Sequence, residues 1–349
     1  MPNTAFAPIL EVTRGDIVES IHFGAAAVVD AAGNLIAHLG DPNAPVYLRS
    51  SAKPFQILPL LEAGGHTHYG LTLEEIALIC SSHSGTDQHV RVAESIQGKV
   101  GIQESNLMCG VHPPMHKETA HRMIREGIEV TQNRHDCSGK HSGMLGLAKM
   151  KGWPLETYLE RDHPVQQAIL EAFSEMTGVA AGEIEIGTDG CSAPNFAVPL
   201  YNAALAWARF ADPSALPEDR ARACRQAAEA VTAHPEMVAW EDRFDSAAMR
   251  AGSGMLLVKG GAEGYLAMGL LPGACGDHSP AMGIVLKVSD GDASGRARPA
   301  AALEILRQLG ALSQTQLDAL KDYGPNKDIT NWRSLVVGEM RPCFTLKRN

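Results

Sequence analysis

No long run of lysine or arginine occurs in this 349-residue chain, and no uninterrupted apolar stretch approaches the length that spans a bilayer. Acidic residues outnumber basic ones, 40 to 30, for a formal charge of −10. A net negative chain without a basic tract argues against nucleic acid or an anionic membrane as its main partner. The opening MPNTAFAPILEVTRGD has no basic segment followed by an apolar one, so no secretory leader is expected. The seven cysteines are odd in number and widely scattered. A chain this long does not need disulfide staples, and a reduced cytoplasmic protein with mostly buried thiols is expected. Neither an internal repeat nor a low-complexity tract is present. What remains is ordinary globular material: hydrophobic residues make up 45%, enough for a sizeable core.

Strand patterns lie at both ends and helical patterns between them. Residues 8–38 read as strands, with Asp30-Ala31-Ala32-Gly33-Asn34 as the turn of a hairpin. Phe55–Leu61 reads as a buried helix that Pro59 should bend. Thr72-Leu73-Glu74-Glu75 is a capping box that starts a short helix toward Cys80, and Thr86 caps another through Val100, with Val90, Ala93, Ile96 and Val100 as its apolar stripe. Cys109–Pro114 must be loop, because paired prolines suit neither helix nor central strand. Further helices are expected over Lys117–Gly127, Met144–Met150 and from Asp162-His163-Pro164 to about Met176. Two alanine-rich helices within 197–233 are assigned to a helical lobe. Strands at Met255–Val258, Tyr265–Leu270 and Ala281–Val288, two helices near 299–322, and a last strand around Leu335–Leu346 close the chain. This order favours an α+β protein whose sheet is built from the terminal segments, about 1–60 and 250–349, with a mainly helical part over about 61–249.

Four clusters carry residues able to do chemistry. In Arg49-Ser50-Ser51-Ala52-Lys53, Ser50 and Lys53 are three apart and share a face if a helix opens there. A serine hydroxyl is a poor nucleophile until a base takes its proton, and lysine serves as that base only when its pKa falls well below about 10.4. Ser82-His83-Ser84 sits in a small-residue loop, where the serines alternatively satisfy helix-end carbonyls. Cys137-Ser138-Gly139-Lys140-His141 and Asp189-Gly190-Cys191 hold thiols, amines and acids. Lys259-Gly260-Gly261 separates two strand patterns and reads equally as a tight hairpin. His83, His135 and His141 each have a bland reading as hydrogen-bonded structural histidines. The order Ser-x-x-Lys, Ser-x-Ser, Lys-Gly-Gly parallels the S-x-x-K, S-D-N and K-T-G series of penicillin-recognising serine enzymes, although Ser84 and Gly260 depart from it.

Five blocks together narrow the reading: R-S-S-A-K-P-F-Q at 49–56, C-S-S-H-S-G at 80–85, C-S-G-K-H-S-G-M-L at 137–145, G-T-D-G-C-S-A-P at 187–194 and K-G-G-A-E-G at 259–264. With R-G-D-I-V-E-S-I-H-F-G at 14–24 and C-G-V-H-P-P at 109–114, they resemble the asparaginase II family over roughly residues 8–345. The resemblance implies a glutaminase/serine-β-lactamase-like fold, hydrolysis of L-asparagine to L-aspartate and ammonia, and a homodimer. Carried over by motif position, Ser50 is the nucleophile and Lys53 its base, with Ser82 and Lys259 as a second serine–lysine pair. It also implies a zinc ion held by Cys137, Lys140 and Cys191, with Asp189 beside it; spacing alone, without a C-x-x-C, makes no zinc site. Arg49, Asp189 and His83 are the expected substrate contacts, Arg49 because a guanidinium binds a carboxylate bidentately. Rival readings are a zinc-dependent amidohydrolase in which metal-bound water attacks, a glutaminase-like enzyme on a related small amide, and a non-catalytic amino-acid-binding protein.

Overall fold

The structure, a computed structural model, describes residues 5–349. Two compact units are present. One takes the chain up to Ser51 together with Val198–Asp212 and Ala247–Asn349; the other takes Ala52–Ala197 and Pro213–Ser246.

The first unit is built on a nine-stranded antiparallel sheet. Its order runs Lys327–Thr330, Val336–Pro342, Ala7–Arg14, Ile17–Asp30, Met282–Val288, Tyr265–Leu270, Leu256–Gly260. The 14-residue strand Ile17–Asp30 organises this sheet. Its first half pairs with Ala7–Arg14 and its second half with Leu35–Leu39, on which Lys347–Arg348 pairs in turn. The expected hairpin is present: Asp30 Oδ1 accepts from Asn34 N–H at 2.8 Å, which closes the turn.

In the run Ala25-Ala26-Ala27-Val28-Val29 every residue is buried. Successive residues of a strand point to opposite faces, so both faces of the sheet are covered. The helices Leu200–Ala211 and Ala297–Leu309 pack against these strands. Leu200–Ala211 therefore belongs to the sheet unit and not to the helical lobe to which its alanine-rich pattern assigns it. Its composition has a local reason. A Cβ added at Gly283 would fall 1.8 Å from the carbonyl oxygen of Ala204 and 2.5 Å from the nitrogen of Ala208. The helix backbone rests directly on the strand, and only small residues permit that approach.

The second unit is helical. Its expected caps form: Thr72 with Glu75 makes the capping box that opens Leu73–Ile79, and Thr86 caps Asp87–Val100, where His89 takes the reciprocal position of a second box. The buried stripe of Asp87–Val100 includes Val92, Ala93, Ile96 and Val100, while Val90 is half-buried. The helix expected to bend at Pro59 is two pieces, Lys53–Gln56 and Leu58–Glu62, broken at Ile57. The helix Pro164–Thr177 is capped by His163, whose ring nitrogen accepts from Val165 N–H.

The central helix is Ser138–Lys151, which starts six residues before the expected Met144. It is buried continuously from Ser138 to Ala148, so no polar face marks it in the sequence. Ser, Gly and His are weak helix formers, and here packing overrides propensity. A Cβ at Gly139 would meet the carbonyl oxygen of Leu78 at 2.4 Å, and one at Gly143 would meet Ile79 Cγ2 at 2.5 Å. Those glycines let the helix lie against Leu73–Ile79 at backbone distance. Among the described residues, no helix is long and apolar enough to cross a membrane.

Candidate active site

In the sheet unit, Ser50 lies half-buried in a single turn, Arg49–Ala52, immediately before the helix Lys53–Gln56. The turn is held against the end of the strand Leu256–Gly260. Ser51 Oγ donates to the carbonyl oxygen of Lys259 at 2.6 Å. A Cβ at Gly261 would meet Leu48 O at 2.7 Å, so the Lys-Gly-Gly segment requires its second glycine. Arg49 has φ 52°, in the left-handed region, which costs a non-glycine residue about 1–3 kcal/mol. Lys259 is buried and donates from Nζ to Gly260 O at 2.8 Å. Arg298 reaches the same segment, donating to Gly261 O at 2.6 Å.

In the helical unit, Lys53 Nζ donates to Ser82 Oγ at 2.9 Å, and both residues are buried. The sequence expectation pairs Lys53 with Ser50 and Ser82 with Lys259; in the structure Ser82 Oγ is hydrogen-bonded to Lys53. Lys53 also lies 3.6 Å from Asp136 Oδ2 and donates to Asp136 O at 3.4 Å. Burial works against the Lys53 ammonium, but Asp136 and Cys137 outweigh it and hold the pKa above the ordinary lysine value. This is opposite in sign to what a lysine base needs, and the cause is the carboxylate. Burial also opposes the charge on Asp136, yet the Lys53 ammonium keeps its pKa well below the usual carboxylate range.

The Ser82 loop is fastened on its other side by the segment 238–243. Ser82 N–H donates to Val238 O at 3.0 Å, Ser84 Oγ to Ala239 O at 2.7 Å, and Arg243 Nη1 to Ser82 O at 3.2 Å. His83 has both ring nitrogens engaged within the protein: Nδ1 accepts from Gly85 N–H at 3.1 Å, and Nε2 meets Ser138 Oγ at 2.9 Å. Burial and the stacked His89 push its pKa well below the ordinary value, so the ring is neutral.

Cys137, Lys140 and Cys191, 54 residues apart at their extremes by number (191 − 137), come together in the helical unit, all buried. Lys140 Nζ donates to Cys191 Sγ at 2.8 Å, and the Cys191 side chain lies next to that of Cys137. That contact, with the nearby lysines, lowers the Cys137 pKa, while Cys137 and burial raise that of Cys191. Lys140 is pulled both ways: burial disfavours its charge, but the Cys191 and Cys137 sulfurs hold its pKa above normal. Asp189 contributes in the same direction. Close by, His141 Nε2 is buried without a hydrogen-bond partner while Nδ1 meets Tyr158 OH at 2.5 Å. Two soft sulfurs, an amine and an orphaned imidazole nitrogen are a donor set that fits zinc.

Sequence reasoning missed Asp136, the carboxylate that sets the charge on Lys53, and Arg243, which braces the Ser82 loop. Asp136 stands one residue before the block that begins at Cys137, and that adjacency is its only signal in the sequence. Arg243 had none.

No curated protein matches the chain in sequence. Solved structures similar to it include the Bacillus subtilis glutaminase YbgJ in covalent complex with 5-oxo-L-norleucine, at 14% identity and a TM-score of 0.39, covering 83% of this chain and 89% of that chain. Another is a Bacillus glutaminase in 4.3 M NaCl, at 12% identity and a TM-score of 0.37, covering 82% and 90%. The family described as L-asparaginase II matches residues 10–342, which takes in the Ser50 turn, the Lys53–Ser82–Asp136 group, the Cys137/Lys140/Cys191 group and the Lys259 strand. On that match, the chain belongs to the L-asparaginase II family.

Proposed function

We propose that this amidohydrolase converts L-asparagine and water to L-aspartate and ammonia through a serine–lysine mechanism. The observation that carries the reading is the buried Lys53–Ser82 hydrogen bond of 2.9 Å, with Ser50 three residues before the same lysine in sequence. In the first half-reaction Ser50 Oγ attacks the side-chain carbonyl carbon, its proton passes to Lys53, the C–N bond breaks, and ammonia leaves with a proton returned by the lysine. An aspartyl ester on Ser50 remains. Water then attacks that ester, giving a proton to Lys53, and the lysine returns that proton to Ser50 Oγ as the ester C–O bond breaks, which releases aspartate and restores the serine. Ser82 accepts from Lys53 at 2.9 Å and is the hydroxyl through which a proton is relayed to or from that lysine. Lys259 supplies positive charge beside the Ser50 turn. Arg49 is the cation for the substrate α-carboxylate and Asp189 the acid for its α-amino group.

Cys137, Lys140 and Cys191 would hold zinc, whose charge, when bound, helps orient the substrate. Ligation requires the Lys140 proton to be displaced, which a divalent charge enforces. The test is a side-by-side ammonia assay on L-asparagine, L-glutamine and a β-lactam. Release from asparagine is expected to dominate, and equal or faster release from glutamine would overturn the substrate assignment. One methylene is worth only about 1–3 kcal/mol of discrimination, so some glutamine turnover is expected. After chelation, metal content measured by mass spectrometry should fall while kcat stays within about threefold and KM rises. Loss of kcat with the fold intact would instead support attack by metal-bound water.

A homodimer is part of the same proposal. Ile17, Val18, Ile21 and Phe23 are exposed on the long strand, and Trp332, Leu335 and Val336 are exposed where Gly15 N–H bonds Val337 O. Clustered exposed apolar residues mark an interface more often than a free surface. Sedimentation of the Trp332→Glu variant should show a smaller species than wild type; two identical masses would remove this face from consideration.

A further inference from the structure

The C-G-V-H-P-P loop, quoted above for its resemblance, has no role in the proposed reaction, yet it delivers His112 to a specific place. His112 Nε2 is 3.3 Å from Asp136 Oδ1, and His135 Nδ1 is 3.0 Å from the same oxygen. The two rings lie 4.3 Å apart between centroids. Among the described residues, these three form a group whose ligating atoms all lie within 4.8 Å of one another.

Hydrogen bonding identifies the atoms that face inward. His112 Nδ1 is 2.7 Å from the carbonyl oxygen of Pro113, which only accepts, so the ring proton sits on Nδ1 and Nε2 presents a lone pair. Asp136 N–H points at that Nε2 at 3.3 Å. Cys137 N–H donates to His135 Nδ1 at 3.0 Å, so that nitrogen presents a lone pair too. Both unprotonated nitrogens lie within 3.3 Å of Asp136 Oδ1, and a bound cation would take the lone pairs that now accept these two amide hydrogens. A proton can bridge two such atoms, whereas a metal cation draws on three at once. A backbone carbonyl that takes the other ring proton, as Pro113 O does for His112, is what commonly fixes the tautomer of a ligating histidine. His112 retains 33% of its side-chain exposure, while His135 is buried, so an ion can enter from the loop side.

We infer that His112 Nε2, His135 Nδ1 and Asp136 Oδ1 form a binding site for a divalent first-row transition-metal ion, distinct from the Cys137/Lys140/Cys191 group. Two imidazoles and one carboxylate suit zinc, cobalt, nickel and iron, and lack the sulfur that distinguishes the other site.

Titration of the full-length protein with Co²⁺ separates the two. Uptake is read by equilibrium dialysis and the metal's environment by absorption, since only a thiolate-ligated cobalt gives an intense near-ultraviolet charge-transfer band. His112→Ala is expected to lower uptake by one ion per chain and leave the thiolate band unchanged. Cys191→Ser should remove that band and keep an ion whose binding depends on His112. If Cys191→Ser does not fold, the comparison of wild type with His112→Ala still decides. Uptake unchanged by His112→Ala overturns the inference. A His112-dependent ion in a protein with no thiolate band supports the inference and removes the zinc assignment made above.

Discussion

Ser50→Ala is expected to lower ammonia release from L-asparagine by at least about 10⁴-fold, because without a nucleophile only unassisted water attack remains. Circular dichroism and the thermal midpoint should match wild type, since Ser51, not Ser50, makes the bond that fastens the turn to Lys259 O. Ser82→Ala should cost less, about 10²–10⁴-fold, the range for a group that conducts or orients a proton. The two serines are told apart by the covalent intermediate. Acid quenching during turnover, followed by peptide mapping, should place the acyl group on the peptide containing Ser50. An acyl group on the Ser82 peptide, or more than about one-hundredth of wild-type rate in Ser50→Ala, would reverse the roles. Arg49 adds a structural reason for placing the nucleophile there. Its left-handed backbone immediately precedes Ser50, and strained residues of this kind cluster at active sites.

The second large effect concerns Asp136. In wild type the carboxylate keeps Lys53 protonated, and burial alone would push the lysine the other way. While the Lys53 pKa lies above the assay pH, the fraction of neutral lysine grows about tenfold per pH unit, so kcat/KM should climb with unit slope through the neutral and mildly alkaline range. Asp136→Asn removes the negative charge and leaves the burial. The ascending limb should then move to lower pH by more than about one unit. A limb that stays in place would show that Lys53 is not the titrating base.

Stability follows with a definite sign. The raised Lys53 pKa contributes stability that is fully present below the unfolded value of about 10.4 and is lost as pH rises through the folded one. The depressed Asp136 pKa contributes stability present above the unfolded value of about 3.9 and lost as pH falls through its folded one. The pair therefore supports the fold across the whole neutral range. Breaking it by Asp136→Asn should cost about 3–5 kcal/mol, unless Lys53 sheds its proton first. Denaturant midpoints measured across pH read this directly.

Local signals in the sequence proved the most legible. The caps at Thr72 and Thr86, the hairpin turn at Asp30–Asn34 and the strands around 256–288 are set by residues a few positions apart, and the structure has each of them. The gathering of Cys137, Lys140 and Cys191 was legible only through the family resemblance, because nothing in their spacing announces it. Three features were not legible. The helix from Ser138 is buried all round and carries no amphipathic stripe. The helix Leu200–Ala211 reads as one more alanine-rich segment until Gly283 is found beneath it. The charge on Lys53 depends on an acid 83 residues away, a relation that exists only in three dimensions.

The sheet order has a consequence for how the chain must be assembled. The strand Ala7–Arg14 is flanked on one side by its sequence neighbour Ile17–Asp30 and on the other by Val336–Pro342. Leu10 sits opposite Pro342 and Val12 opposite Met340, a loop closure of more than 300 residues (340 − 12 = 328). Contacts of such long range are entropically late. During synthesis the strand Ala7–Arg14 must wait with one hydrogen-bonding edge open until Val336–Pro342 has been made, while the helical residues from Ala52 onward already have their local partners. The segment that carries Ser50 is thus translated long before Met340 and Pro342, and the sheet that holds it cannot close until they are made.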